Sequence, residues 1–445
     1  MTDDEDIPRT PGRVVQHSPL FVFEQVAGER FVFAKREGAN PQAIASTDSF
    51  PDAQPMLESE LAWPICTDTV NYSHADEPFY AAREFAFANL DLQREVDYDL
   101  WAAYALVCAR PEDFETIPYL YFLGPKGSGK SRATELFCHK KYGVAYRGVM
   151  SPNISLAGLF HLIDLYHVTL GLDEAEAYMT DEGPSDIQLL LNAGYSQGQQ
   201  AIRMSADASR LMFYEVFGPK VLNSTRRLYQ TFMSRCILFL MDKNTRPIKK
   251  RWDTNTQAEA QNVRNLLLTY RLREIGNPIP PFDNDRIPDS RTEELFYALI
   301  SVVPASVRPR LYDAAIEICG DEVQADMTSW EAATLDALVK LADEVRHGKI
   351  ATSRVAETVN VYIPEKERLK THTIGKVLEG LGFRRRKTLD GLSGFLYDRA
   401  NLERRLRRYA VQATLPVETS GIAGIARLNE TGETGETGDL PSSPP

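Results

Sequence analysis

The chain has 445 residues, 43% of them hydrophobic and 25% charged, with a formal net charge of −12. That length predicts two or three domains, and that composition an ordinary globular core. No apolar run reaches the ~18 residues a membrane span needs, the acidic start MTDDEDIPRT is no signal peptide, and the scattered Cys66, Cys108, Cys138, Cys236 and Cys319 form no CxxC pair, which excludes a disulfide scaffold and a zinc ribbon.

A soluble, cytoplasmic protein is therefore expected. Residues 1–18 read as disordered, and Phe21 to Phe33 reads as a hairpin turning at Ala27-Gly28. Residues 1–75 together are expected to form a small accessory β-containing region. From Tyr80 to Ala109 the apolar spacing is helical (Phe85, Leu92, Trp101, Tyr104). Then comes a short apolar run, Tyr119–Leu123, leading into Gly124-Pro125-Lys126-Gly127-Ser128-Gly129-Lys130-Ser131. Glycines in this pattern let backbone N–H groups crowd around phosphates, and the helix that follows aims its positive dipole end at them. Lys130 would reach the β- and γ-phosphates, and the Ser131 hydroxyl would hold magnesium. The ligand expected from this loop is ATP with Mg2+. A helix is predicted over Arg132 to Lys141, with Gly143 as its C-terminal cap.

Five strands are predicted: Tyr119–Leu123, Val144–Val149, Val168–Leu172, Val216–Leu222 and Cys236–Met241. Short apolar runs alternating with helices indicate a buried parallel sheet. The third run ends in Asp173-Glu174, 43 residues after Lys130. An acidic pair there is the second half of a nucleotide site: Asp173 for the magnesium shell, Glu174 to deprotonate an attacking water. The fourth run ends in a polar tip, where Asn223, then Thr225, is the candidate to sense the γ-phosphate. Arg235, at the start of the fifth, is the candidate arginine finger reaching a neighbour's nucleotide, with Arg226 and Arg227 as competitors. Helices are predicted over Ala258 to Ile275, from Ser290-Arg-Thr-Glu293, a capping-box form, to Val303, and over Ser306 to Ile318. Arg291 is a candidate second sensor of the nucleotide, with Arg286 as its rival.

Two stretches suit a polyanion. Residues 196–217 read as a hairpin with its tip near Ala206-Asp207, and Arg203 and Arg210 are its candidate phosphate contacts. Residues 343–412 carry 16 Lys and Arg against 9 Asp and Glu. There, helices over Thr352–Asn360 and Thr371–Leu381 and a hairpin turning at Asp390-Gly391 make a winged helix-turn-helix. Its candidate DNA contacts are Lys370, Lys376, Arg384, Arg385, Arg386 and Lys387, and Arg404, Arg405, Arg407 and Arg408 form a further basic helix face. The repeat ETGETGETGDLPSSPP marks 413–445 as a disordered tail. The seven histidines show no paired ligand spacing, so magnesium is the one metal implied.

The order of loop, Asp-Glu, polar tip, Ser-Arg and helices resembles the AAA+ ATPases, and MSRCILFLM resembles the Ser-Arg stretch of minichromosome-maintenance-type helicases. PYLYFLGPKGSGKSRATELF, YRGVMSPNISLAGLFHLID, TLGLDEAE, LLNAGYSQG and VFGPKVLNSTRRL resemble bacterial, phage and plasmid ATPases associated with primases and mobile-element replication. The resemblance implies an α/β P-loop AAA+ core with a five-stranded parallel sheet over residues 76–245, a helical lid over 246–344 and the winged helix over 345–412. It implies an ATP-dependent, ring-forming homo-oligomeric DNA motor of the helicase or translocase kind, partnered by a separate primase or polymerase. An initiator or helicase loader that does not unwind, and a non-replicative regulatory or defence ATPase, remain open. No zinc-ligand spacing or carboxylate-rich polymerase motif occurs in residues 1–80, so the resemblance does not extend to primase chemistry.

Overall fold

The computed structural model describes residues 21–28, 30–35, 42–44, 56–151, 153–178, 185–205, 209–228, 230–249, 251–280, 282, 286–287, 289–327, 330–361, 363, 368–387 and 391–408. The segments expected to be disordered, 1–18 and 413–445, lie outside them, as do the hairpin tip at Ala206-Asp207 and Asp390 of the second turn. The chain divides into two compact units, residues 1–319 and 320–445. Among the described residues no helix is long and apolar enough to cross a membrane.

The first unit begins with the expected hairpin. Strands β1 (Phe21–Val26) and β2 (Arg30–Lys35) pair antiparallel, and β3 (Gln42–Ile44) adds to the free edge of β2. Gly28 turns the chain at φ +74°, which a side chain would resist. Helices α1 (Glu77–Asn89) and α2 (Glu95–Ala109) follow. Helix α2 is buried on nearly every side, as an all-round apolar helix must be. Trp101 and Tyr104 pack their rings on Phe137 at centroid distances of 4.3 and 5.7 Å.

The expected five-stranded parallel sheet is present. Its members are β4 (Tyr119–Leu123), β5 (Gly148–Ser151), β6 (Thr169–Leu172), β9 (Lys220–Ser224) and β10 (Cys236–Leu240), in the spatial order β10-β4-β9-β6-β5. Helices α3 (Lys130–Cys138), α4 (Leu156–Tyr166) and α5 (Asp186–Ala193) lie along the connections. A separate antiparallel hairpin, β7 (Gln200–Met204) with β8 (Leu211–Glu215), rises between α5 and β9. The short α6 (Gln230–Met233) precedes β10. Three long helices follow: α7 (Thr254–Glu274), α8 (Ser290–Val302) and α9 (Arg308–Met327).

Several local expectations are corrected. Val144 to Arg147 is not strand, because the Val144 and Ala145 N–H groups close on the Leu136 and Phe137 carbonyls at the end of α3. That helix stops at Cys138, so Gly143 is no cap. It is a close-approach glycine, since a Cβ there would meet the Phe137 and His139 carbonyl oxygens at 2.6 and 2.7 Å. The fourth strand starts at Lys220, after a Gly218 held at φ +148°. Helix α8 is capped by Asp289, whose carboxylate accepts from Thr292 N–H at 2.7 Å, so Ser290 is its first helical residue. Helix α9 runs nine residues past the expected Ile318.

One buried charge cluster fastens the N-terminal hairpin to the sheet layer. Glu24 of β1, 5% exposed, accepts from Arg147 at 3.0 Å, from Arg271 of α7 at 2.8 Å and from the Tyr146 hydroxyl at 2.7 Å. Arg271 also binds Glu112 through two hydrogen bonds of 2.8 and 2.7 Å. Burial pushes the Glu24 carboxyl up, but the two arginines outweigh it and hold it below its ordinary value. Around it, Val26 and Val32 pack on Leu268, Leu272 and Ile275. Glu24→Ala strands the buried Arg147 guanidinium, and a loss of about 3–5 kcal/mol is expected in denaturant unfolding. Glu112→Ala leaves both arginines paired with Glu24, so it should cost less.

A second buried charge sits at the root of the β7–β8 hairpin. Lys220 Nζ donates to the carbonyls of Gly194, Val216 and Gly218 at 3.2, 3.1 and 2.9 Å and faces the Tyr119 ring at 5.0 Å. Burial lowers its pKa to about 7. Above that value the folded chain has lost a proton that the unfolded chain still holds, so this residue makes stability rise with pH. From about pH 7 to pH 9 the melting temperature of the wild type should gain on that of Lys220→Met, whatever slope the buried thiols impose on both.

The second unit has its own core of Leu335, Leu338, Ile350, Val355, Ile374, Leu378, Phe395 and Leu402. Its order is α10 (Trp330–Lys340), β11 (Lys349–Ala351), α11 (Thr352–Val359), α12 (Thr371–Gly380), β12 (Arg385–Lys387), β13 (Ser393–Leu396) and α13 (Arg399–Arg408). The expected helix, helix and hairpin are there. Strand β11, not foreseen, pairs with the far edge of β13.

Candidate functional site

Ligands of open parallel sheets bind beyond the carboxyl ends of the strands. Strand β4 is buried between β10 and β9, and its carboxyl end opens into the loop 124–131. Gly124 sits so close to β10 that a Cβ would lie 2.3 Å from the Met241 carbonyl oxygen and 2.7 Å from Ser128 Oγ. Gly127 and Gly129 take φ +83° and +87°, and Gly129 caps the start of α3. Pro125, Lys126 and Gly127 are exposed at the loop's crest. Beneath them Ser128 is 1% exposed, and its hydroxyl has no hydrogen-bond partner. A buried hydroxyl left open in a ring of left-handed glycines at a helix start fits a phosphate oxygen. Lys130, 8% exposed, is the first residue of the helix.

The Asp-Glu pair meets this loop. Ser131 Oγ donates to Asp173 Oδ1 at 3.1 Å, so the two oxygens assigned to magnesium lie side by side. Ser131 and Asp173 would supply hard oxygen ligands of the kind magnesium takes. Among the described residues no cluster of three or more His, Cys, Asp and Glu side chains suits a metal by itself. Glu174 is exposed and held at φ +51°, a conformation that costs a non-glycine residue about 1–3 kcal/mol. Its N–H is held by Asp173 Oδ1 at 3.2 Å and Asn223 Oδ1 at 3.4 Å.

Asn223 is the internal tie between the two halves. It is fully buried in β9, which separates β4 from β6, and its Nδ2 donates to Thr134 Oγ1 of α3 at 2.9 Å. Its amide is thus committed on both sides, while Thr225, one residue past the strand, is exposed at the tip. Arg226 and Arg227 are also exposed there.

The structure does not bring Arg235 or Arg291 to this loop. The Arg235 carbonyl accepts from Tyr119 N–H at 2.9 Å, at the amino end of β4. A five-residue strand separates that end from the loop by about 16 Å. Arg291 Nε donates to the Ser234 carbonyl at 2.8 Å, and both guanidiniums face the Tyr195 ring, at 4.6 Å for Arg291 and 5.9 Å for Arg235. Sequence spacing gave no sign of this shared ring. Arg286 is occupied elsewhere, over Tyr312 at 4.4 Å and 3.8 Å from Asp313.

Arg203 folds onto its own unit, over the Phe160 ring of α4 at 5.5 Å, with Nη1 donating to the Ile202 carbonyl at 2.8 Å. Arg210 is exposed near the hairpin tip. The hairpin's outward face carries Ile202, Met204, Leu211 and Phe213, each between 52% and 55% exposed. Their alternation in QAIRM and LMFYE was the available signal. In the second unit Lys370, Lys376, Arg384, Arg386 and Lys387 are exposed. Arg385 is drawn back over α12, pairing with Glu379 at 2.9 Å and covering the Phe395 ring at 5.7 Å. Side chains of Arg407 and Arg408 lie outside the described residues.

No protein-family model matches the chain, and no curated protein matches it. Solved structures match distantly. The apo A form of the NrS-1 C-terminal region shares 12% identity at a TM-score of 0.37, over 84% of this chain and 96% of that one. SCCmec type IV Cch, described as an active helicase, shares 13% at 0.34, over 86% and 80%. An inhibitor-bound JCV helicase shares 15% at 0.23, over 60% and 65%. Likenesses this distant bear no weight on the site, whose reading rests on its own geometry.

The open hydroxyl of Ser128 makes a separable prediction. A buried unpaired hydroxyl costs stability, whereas a hydrogen bond to a charged phosphate is worth about 1.5–3 kcal/mol. Ser128→Ala should therefore leave the melting temperature of the free protein unchanged or raised. It should weaken Mg-ATP binding about tenfold or more in a fluorescent-nucleotide titration.

Proposed function

We propose that the chain is an ATP-hydrolysing, AAA+-type motor of the helicase or translocase kind that acts on DNA, in replication of a phage, plasmid or integrated element as the sequence resemblance implies. The observation that carries this reading is the meeting of the glycine loop with Asp173 through Ser131. Bound magnesium would neutralise phosphate charge between Ser131 and Asp173. Lys130 holds the phosphate chain, and the Glu174 carboxylate takes a proton from the attacking water. Asn223 fixes the Glu174 backbone, so the carboxylate starts from one place.

The position of Arg235 at the opposite end of the sheet supports action in trans. A finger there serves a neighbour's nucleotide, and head-to-tail assembly of identical copies is the geometry that allows it. Arg291, beside it over Tyr195, joins the same edge. Helices α7 to α9 act as the lid, the β7–β8 hairpin meets the nucleic acid strand, and the second unit serves as a winged helix. In it α12 enters the major groove while Lys370, Arg384, Arg386 and Lys387 hold phosphates.

A second reading, an ATP-controlled assembly switch without unwinding, is favoured by one observation: the exposed strand side chains Ile202, Met204, Leu211 and Phe213 give the hairpin an apolar outward patch. Strand displacement on a forked substrate separates the two. For either, ATP hydrolysis should rise when DNA is added, and Lys130→Ala should abolish it. Glu174→Gln should retain bound ATP and assembly without turnover. Mixing Arg235→Ala with Glu174→Gln subunits should restore partial hydrolysis, because wild-type residues then meet at some interfaces. Turnover in Lys130→Ala would overturn the site, and failure of the mixture to recover would overturn sharing between copies.

A further inference from the structure

The Asp173-Glu174 pair is followed by a third carboxylate that the reading above leaves unused. Glu176 lies in a short 3-10 turn, Ala175–Tyr178, just past the carboxyl end of β6. Its Oε1 accepts two hydrogen bonds from one residue, Thr225 N–H at 2.9 Å and Thr225 Oγ1–H at 2.7 Å. Its Oε2 is buried and has no hydrogen-bond partner. Burial pushes the carboxyl up, but the Thr225 hydrogen bonds, aided by the nearby Lys130 ammonium, hold it below its ordinary value. The group is therefore an anion set close to the phosphate loop.

A carboxylate there is a poor structural choice. It repels the incoming phosphates, and its second oxygen goes unsatisfied. What it does achieve is specific. A threonine hydroxyl has one proton and two lone pairs. With that proton given to Glu176, Thr225 Oγ1 is left as an acceptor at the tip of β9, the strand lying between the loop strand and the Asp-Glu strand.

We propose that Glu176 is a positioning residue for hydrolysis: it locks the Thr225 hydroxyl as a hydrogen-bond acceptor, so that Thr225 orients the attacking water toward Glu174. Glu176 itself takes no proton from the water. The inference rests on the nucleotide site proposed above and extends it by one named pair.

The test is steady-state hydrolysis by the full chain with saturating DNA, with Mg-ATP affinity and melting temperature measured in parallel. Thr225→Val and Glu176→Ala should each lower kcat about tenfold, as loss of a hydrogen-bonded supporting group does at metal sites, with ATP affinity within about twofold of wild type. The double variant should lose no more than either single one, since both remove the same lock. Thr225→Ser, which keeps the hydroxyl, and Glu176→Gln, whose amide oxygen still accepts, should retain most of kcat. Equal losses in Glu176→Gln and Glu176→Ala would mean that Glu176 handles the proton itself and would overturn the proposal. So would multiplicative losses in the double variant, or wild-type kcat in both single ones. If Glu176→Ala fails to fold, the contrast between Thr225→Val and Thr225→Ser decides. Lys130→Ala is the control: activity surviving there defeats the nucleotide site, whereas activity lost there but kept in Thr225→Val defeats this inference alone.

Discussion

The structure turns on one arrangement, the placing of β9 between β4 and β6. The glycine loop belongs to one strand and the acidic pair to another, and the two are not neighbours. A fully buried amide on the strand between them, Asn223, holds the α3 hydroxyl of Thr134 on one side and the Glu174 backbone on the other. Only with that spacing does Ser131 lie against Asp173. The left-handed backbone of Glu174 belongs to the same arrangement, because its N–H must turn inward to be held.

Around this centre the fold commits charge to its interior. Glu24, Arg147 and Arg271 form a buried chain of paired ions that runs from the N-terminal hairpin through the sheet layer to α7, where the half-buried Glu112 ends it. Charges so buried add little net stability when paired but are costly to separate. They therefore fix where the hairpin sits more than how tightly it holds. Lys220, caged by three carbonyls, does similar work at the root of the β7–β8 hairpin.

Much of this was legible in the chain. Strands flanked by turn residues, and the glycine loop after one of them, carry their meaning in local order, and the parallel sheet followed from their alternation with helices. What escaped depended on distant packing. Val144 and Ala145 have strand-like side chains, yet their backbone closes a helix end. Arg203 reads as a free cation until α4 brings Phe160 beneath it. Arg291 reads as a contact to its own nucleotide until Ser234 and Tyr195 hold it at the amino end of the sheet. Strand β11 is three residues long, too short to alternate. Glu176 was hidden by its own context, since an acid beyond an Asp-Glu pair looks like surface until Thr225 closes on it.

The separation of Arg235 from the glycine loop gives the proposed assembly unlike ends. One terminal copy of an open row would present an arginine edge with no nucleotide to serve, and the other a charged nucleotide with no arginine to complete it. Lengthening the row never cures this; each addition only moves the idle site outward. Closure alone employs every copy, so hydrolysis per subunit would itself report whether the circle is complete.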